Sequence, residues 1–164
     1  MINSKLGIVF KATILLLTCF SNYSFAQDQN NKMKKECPIA NGKIIIADIP
    51  QKSFIEPMKG IFVMATDSDI VKSILNGQVA KVDSLPYHNL FMLVKSKDTT
   101  ICYTGLSELF VKEGEVINKG QCIGILGSNE NDQKVLYIEF WKGKTQINPN
   151  GLINCGSVYS LENK

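Results

Sequence analysis

Val111-Lys112-Glu113-Gly114-Glu115, followed by Lys119-Gly120-Gln121-Cys122-Ile123-Gly124 and Gly127-Ser128, is the stretch that decides the class of fold. Glycines at 114, 120, 124 and 127 cut short apolar runs. Spaced this way, they mark the bulges and tight corners that a closed or sandwiched sheet needs. Working outward, residues 135–141 alternate strictly. Val135, Tyr137, Glu139 and Trp141 fall on one face, and Leu136, Ile138 and Phe140 on the other, which is the expected core face. Upstream, residues 90–95 form a continuous apolar run, Lys97-Asp98 a turn, and residues 99–104 the returning partner. Residues 43–49 are a β-branched run ended by Pro50, and residues 60–65 run into the polar turn Thr66-Asp67-Ser68-Asp69. Residues 70–82 read as strand, turn, strand, with Asn76-Gly77 as a hairpin signal, although apolar positions 70, 71, 74 and 75 also fit a short helical segment. The pattern predicts a single all-β domain.

The 164 residues suffice for one ordinary domain. Residues 1–26 read as a signal peptide: Lys5 and Lys11 lie before and within an apolar stretch, and Ser24-Phe25-Ala26 suits cleavage. The apolar core is shorter than the roughly 20 residues of a transmembrane helix. An uncleaved anchor, or a lipoprotein acylated at Cys19, are the alternatives. Residues 27–36 form a polar lead-in, residues 37–155 the β domain, and residues 156–164 a C-terminal tail. The expected address is periplasmic or extracellular, with no membrane span after cleavage.

All eighteen basic residues are lysine, and His88 is the sole histidine. Without arginine the chain lacks the fork that reads guanine or clamps phosphate. Losing residues 1–26 removes two lysines and no acid, leaving a nearly neutral chain with no footing for nucleic acid. One histidine also rules out a two-histidine metal site. Beyond Cys19 there are four cysteines, 37, 102, 122 and 155, which allow three pairings. Cys37 and Cys155 bracket the folded part and are the expected disulfide. Cys102 and Cys122 read equally as small core residues or as a second bridge.

Taken in order, Gly60-Ile61, Asn76-Gly77-Gln78-Val79, Tyr87-His88-Asn89, Tyr103-Thr104-Gly105-Leu106-Ser107, the glycine-rich stretch, Leu136-Tyr137-Ile138-Glu139-Phe140 and Ile147-Asn148-Pro149 resemble the landmarks of the M23 peptidase family, the LytM or lysostaphin-like domain. The resemblance spans roughly residues 37–153. It implies a compact antiparallel β-sheet barrel or sandwich, of the duplicated hybrid motif type, with an open groove. Active members are zinc endopeptidases that cut peptide cross-bridges of peptidoglycan. A histidine and an aspartate four apart, with the second histidine of a His-x-His pair, hold the zinc. Two further histidines assist in proton transfer and charge stabilisation.

Carried over by position, the resemblance places the aspartate ligand at Phe62 and the histidine four residues earlier at Met58. The His-x-His pair falls on Val135 and Tyr137, and the assisting histidine on Gly105. Phenylalanine and valine have no donor atom, methionine offers a soft thioether, and tyrosine would have to lose its proton. The expectation is a domain without zinc, other cofactor or catalytic residue. His88 takes the place of a glycine and restores nothing. Phe62, Tyr87, His88 and Tyr137, with Met58, Gly105 and Val135 at the old site, line the expected groove, which either holds a ligand or is filled by packing. Its expected partner is a peptidoglycan peptide, or an envelope protein such as a cell-wall hydrolase.

Two alternatives stand beside this reading. One is an active M23-type zinc metalloendopeptidase with a non-standard metal site, drawing on His88 with Asp67, Asp69, Asp83 or Asp98. Cys102 or Cys122 as a nucleophile, with His88 as its base, is a variant of that enzyme reading. The other is a structural protein whose partner surface lies elsewhere, in the loop of residues 129–134 or at Trp141.

Overall fold

The computed structural model describes residues 35–46, 60–85, 90–149 and 151–160. The proposed signal peptide and most of the lead-in lie outside the described residues, as do Met58, Tyr87 and His88.

Eleven strands make up the described architecture, with no helix among the described residues. They are β1 (Lys43–Ile46), β2 (Ile61–Met64), β3 (Ile70–Lys72), β4 (Gly77–Ser84), β5 (Leu90–Ser96) and β6 (Thr99–Leu109), then β7 (Val116–Ile117), β8 (Cys122–Leu126), β9 (Val135–Lys142), β10 (Thr145–Ile147) and β11 (Gly156–Ser160). The main path runs β11-β1-β2-β9-β6-β5-β4-β7, with β10 on β9 and β3 on β8, which in turn pairs β6. Pairing is antiparallel except between β1 and β11, and the sheet is not closed into a barrel. The opening residues of the expected tail continue as β11, because β1 offers them a ladder of backbone partners.

Alternation on β9 comes out as read: Leu136 and Ile138 are fully buried and Phe140 nearly so, while Tyr137, Glu139 and Trp141 are half-buried on the other face. Each fully buried aliphatic side chain contributes about 1.5–3 kcal/mol. With Val63, Val71, Met92, Val94, Ile101, Tyr103 and Leu106 they form one core beneath the central strands. The β5–β6 hairpin also stands, its turn held by Lys97 at φ 54°. Cys37 and Cys155 are joined, tying together the ends of the sheet across 118 residues.

Asn76-Gly77 is not a hairpin turn. β3 pairs with β8, and β4 with β5 and β7, so residues 70–84 cross between neighbours without folding back. The Asn76 amide oxygen accepts the Lys119 N–H at 2.7 Å. Gly77 is needed for a close approach, since a Cβ there would lie 2.7 Å from the Lys95 carbonyl oxygen. Cys102 is not a core residue: its neighbours Ile101 and Tyr103 point inward, and its own side chain lies on the outer face of β6.

Candidate functional site

β9 is the spine of the site, because it pairs β2 on one side and β6 on the other. On its outer face Tyr137 stands between Phe62 of β2 and Thr104 of β6. Cys102 is opposite Glu139, and Thr100 opposite Trp141. The structure thus brings Phe62, Val135, Tyr137 and Gly105 into one neighbourhood, whereas Met58, Tyr87 and His88 lie outside the described residues.

Phe62 and Tyr137 fill the middle of this neighbourhood. Their ring centroids are 4.7 Å apart with an interplanar angle of 36°, a tilted contact of the kind that stabilises aromatic pairs. Tyr137 lies over Gly60, where a Cβ would come within 2.5 Å of the phenol ring. Its Oη donates to Glu139 Oε1 at 2.8 Å and accepts from the Gly60 N–H. Burial, then the hydrogen bond to Glu139 and that carboxylate's charge, push the phenol well above the usual tyrosine range. The Tyr137 oxygen stays protonated at any physiological pH.

Gly105 is a corner. Up to Thr104, β6 pairs β9, and from Leu106 onward it pairs β8. The change of partner is made at Gly105, with φ at 102°, a conformation that side chains with a Cβ rarely adopt. A Cβ there would lie 2.6 Å from the Val135 carbonyl oxygen. Val135, opposite Met64 on β2, therefore closes this position with its backbone.

Glu139 and Trp141 complete the surface. Trp141 Nε1 donates to Glu139 Oε2 at 3.1 Å, so the carboxylate is held between a phenol and an indole. Cys102 lies 3.5 Å from Thr104 Oγ1; its thiol is pushed up, mainly by burial and further by the Glu139 charge, against the lowering hydrogen bond from Thr104. Glu139 and Cys102 were not among the expected groove residues. The period-two alternation through Tyr137, Glu139 and Trp141 was the signal that could have found the carboxylate.

The acids considered for a relocated metal do not gather. Asp83 pairs with Lys81 at 2.8 Å, Asp98 with Lys142 at 3.5 Å and Asp69 with Lys134 at 2.6 Å, while Asp67 accepts from the Asn41 amide at 2.9 Å. Among the described residues no three His, Cys, Asp or Glu side chains are grouped so as to share a metal ion. Nor is any described helix long and apolar enough to cross a membrane.

Comparison with known proteins gives a consistent picture. The sequence model described as Peptidase family M23 matches residues 56–149. Among solved structures, a chain of the SpoIIQ–SpoIIIAH pore-forming complex superposes with a TM-score of 0.58 at 21% identity, covering 73% of this chain and 90% of that one. Csd3 from Helicobacter pylori gives 0.56 at 22% identity over 74% of this chain, which spans 33% of Csd3. The catalytic domain of the prophage-encoded M23 protein EnpA from Enterococcus faecalis gives 0.55 at 20% identity, covering 66% and 89%. At these identities the likeness is one of fold. No curated protein sequence matches.

Proposed function

This chain belongs to peptidase family M23, and from that membership we propose that it is a non-catalytic member: an exported β domain that holds a peptide or protein partner in the bacterial cell envelope. One observation carries the reading. Phe62 and Tyr137, at the positions where the family resemblance puts an aspartate and a histidine ligand, stack on each other at 4.7 Å. The donor set does not fit zinc. Phe62 and Val135 offer no donor side-chain atom, and the Tyr137 oxygen is protonated and committed to Glu139. Gly105, the position of the assisting histidine, is closed against any side chain by the Val135 carbonyl. Replacing a buried polar site by packed apolar groups can leave a fold as stable as before, so the scaffold survives the change.

A half-buried aromatic surface with a few polar tips suits a peptide better than a sugar. The SpoIIQ–SpoIIIAH likeness supports partner binding, since that fold neighbour belongs to an assembly of two proteins. Export is supported by the Cys37–Cys155 bond, which forms and persists in oxidising compartments.

The test is a zinc titration by calorimetry together with a peptidoglycan-containing gel. The purified protein takes up no stoichiometric zinc and clears no peptidoglycan. One tightly bound equivalent, or clearing abolished by a chelator, overturns the reading. Recovery on sacculi, or of envelope proteins on the immobilised protein, falls for Phe62→Ala and Tyr137→Ala; equal recovery would refute a role for this face.

A further inference from the structure

Glu139 is a half-buried carboxylate that neutral groups hold in place and no described cation neutralises. Oε1 takes the Tyr137 hydroxyl at 2.8 Å and Oε2 the Trp141 indole N–H at 3.1 Å. A carboxylate has about four acceptor positions, so about two stay open. Among the described residues the ion pairs place lysines on other acids: Lys81 on Asp83, Lys119 on Glu36, Lys134 on Asp69 and Lys142 on Asp98. On the β6 side Glu139 is flanked by Thr100, Cys102 and Thr104, short side chains that bring no positive charge. Burial keeps the Cys102 thiol in its neutral form beside it.

We propose that Tyr137, Glu139 and Trp141 form a recognition site for the ammonium group of a lysine side chain on a partner peptide. The inference deepens the non-catalytic reading and rests on it. An ammonium meets a carboxylate that no described cation pairs, in a setting where charge is less screened than in water. The rings present their O–H and N–H edges to the carboxylate, so the charge of Glu139 carries the attraction. The two neutral donors fix the carboxylate's orientation without cancelling its charge, so the site is set before the ligand arrives. Alternation along β9 produces the array, because residues two apart share a face about 7 Å apart.

Trp141 is the only tryptophan in the chain, so its emission reports on this site alone. The probe is the capped tripeptide Ala-Lys-Ala, compared with the same peptide acetylated on the lysine amine. The lysyl peptide produces a saturable change in Trp141 emission, and acetylation weakens binding by roughly tenfold or more. Glu139→Gln, which keeps the shape and removes the charge, weakens the lysyl peptide by a similar factor while retaining the native circular dichroism spectrum. No saturable change up to about 10 mM peptide overturns the inference, as does equal binding of the two peptides. Zinc titration of the same sample separates the two failures. A bound zinc equivalent overturns the non-catalytic reading, whereas absence of both zinc and lysyl binding overturns this inference alone.

Discussion

If Phe62 and Tyr137 pack the space between β2 and β9, their contributions to stability must be coupled. A double-mutant cycle with Phe62→Ala and Tyr137→Ala measures that coupling. Phe62 is half-buried, so its removal should cost about half of the 3–5 kcal/mol typical of a core phenylalanine, or about 2 kcal/mol. Tyr137 loses a half-buried ring and a charge-assisted hydrogen bond to Glu139, together about 3 kcal/mol. The ring contact at 4.7 Å is shared by both deletions, and such pairs are worth about 0.5–1.5 kcal/mol beyond the area they bury. The double variant should therefore lose about 1 kcal/mol less than the two single losses added together. Urea unfolding followed by circular dichroism gives all four free energies with a common slope. Additivity within about 0.3 kcal/mol would refute the packed-site argument, because it would mean that neither ring depends on the other.

Three further outcomes are expected. Tyr103 is fully buried, and desolvation pushes its phenol up to about 12. A phenol raised in the folded state gives stability that is complete below pH 10 and lost as pH rises through 12, about 3 kcal/mol in all. Urea midpoints at pH 8 and 11.5 should differ more for the native chain than for Tyr103→Phe; Tyr137, shifted the same way, leaves a smaller residual slope. Cys37→Ser with Cys155→Ser should cost about 2–5 kcal/mol, the range expected when so long a loop is opened, and an unchanged melting temperature would count against the bond. Gly105→Ala should cost about 2–4 kcal/mol through its positive φ and its clash with the Val135 carbonyl; thermal unfolding indistinguishable from the native chain would show that β6 turns elsewhere.

Much of this fold was readable because its signals are local. The alternation of residues 135–141 names the buried face of β9 without knowledge of its partners, since side chains in any extended strand point to opposite sides. The apolar run at 90–95, its turn and its return describe a hairpin for the same reason: both strands are adjacent in the chain. Asn76-Gly77 carried an equally good turn signal and misled, because β3 and β4 find their partners at residues 122–125 and 90–95. Pairing across such distances depends on which faces must be buried together, which no short window contains.

The site divides along the same line. Residue chemistry alone says that Phe62, Val135 and Gly105 bring no donor side chain, since a benzene ring, an isopropyl group and a hydrogen atom have none in any conformation. Only the fold could leave Cys102 as a free thiol, set Phe62 against Tyr137, make Gly105 the corner where β6 leaves β9, and hang one carboxylate between a phenol and an indole. Composition travels with the chain, whereas proximity between residues far apart in sequence exists only once the sheet has closed their separation.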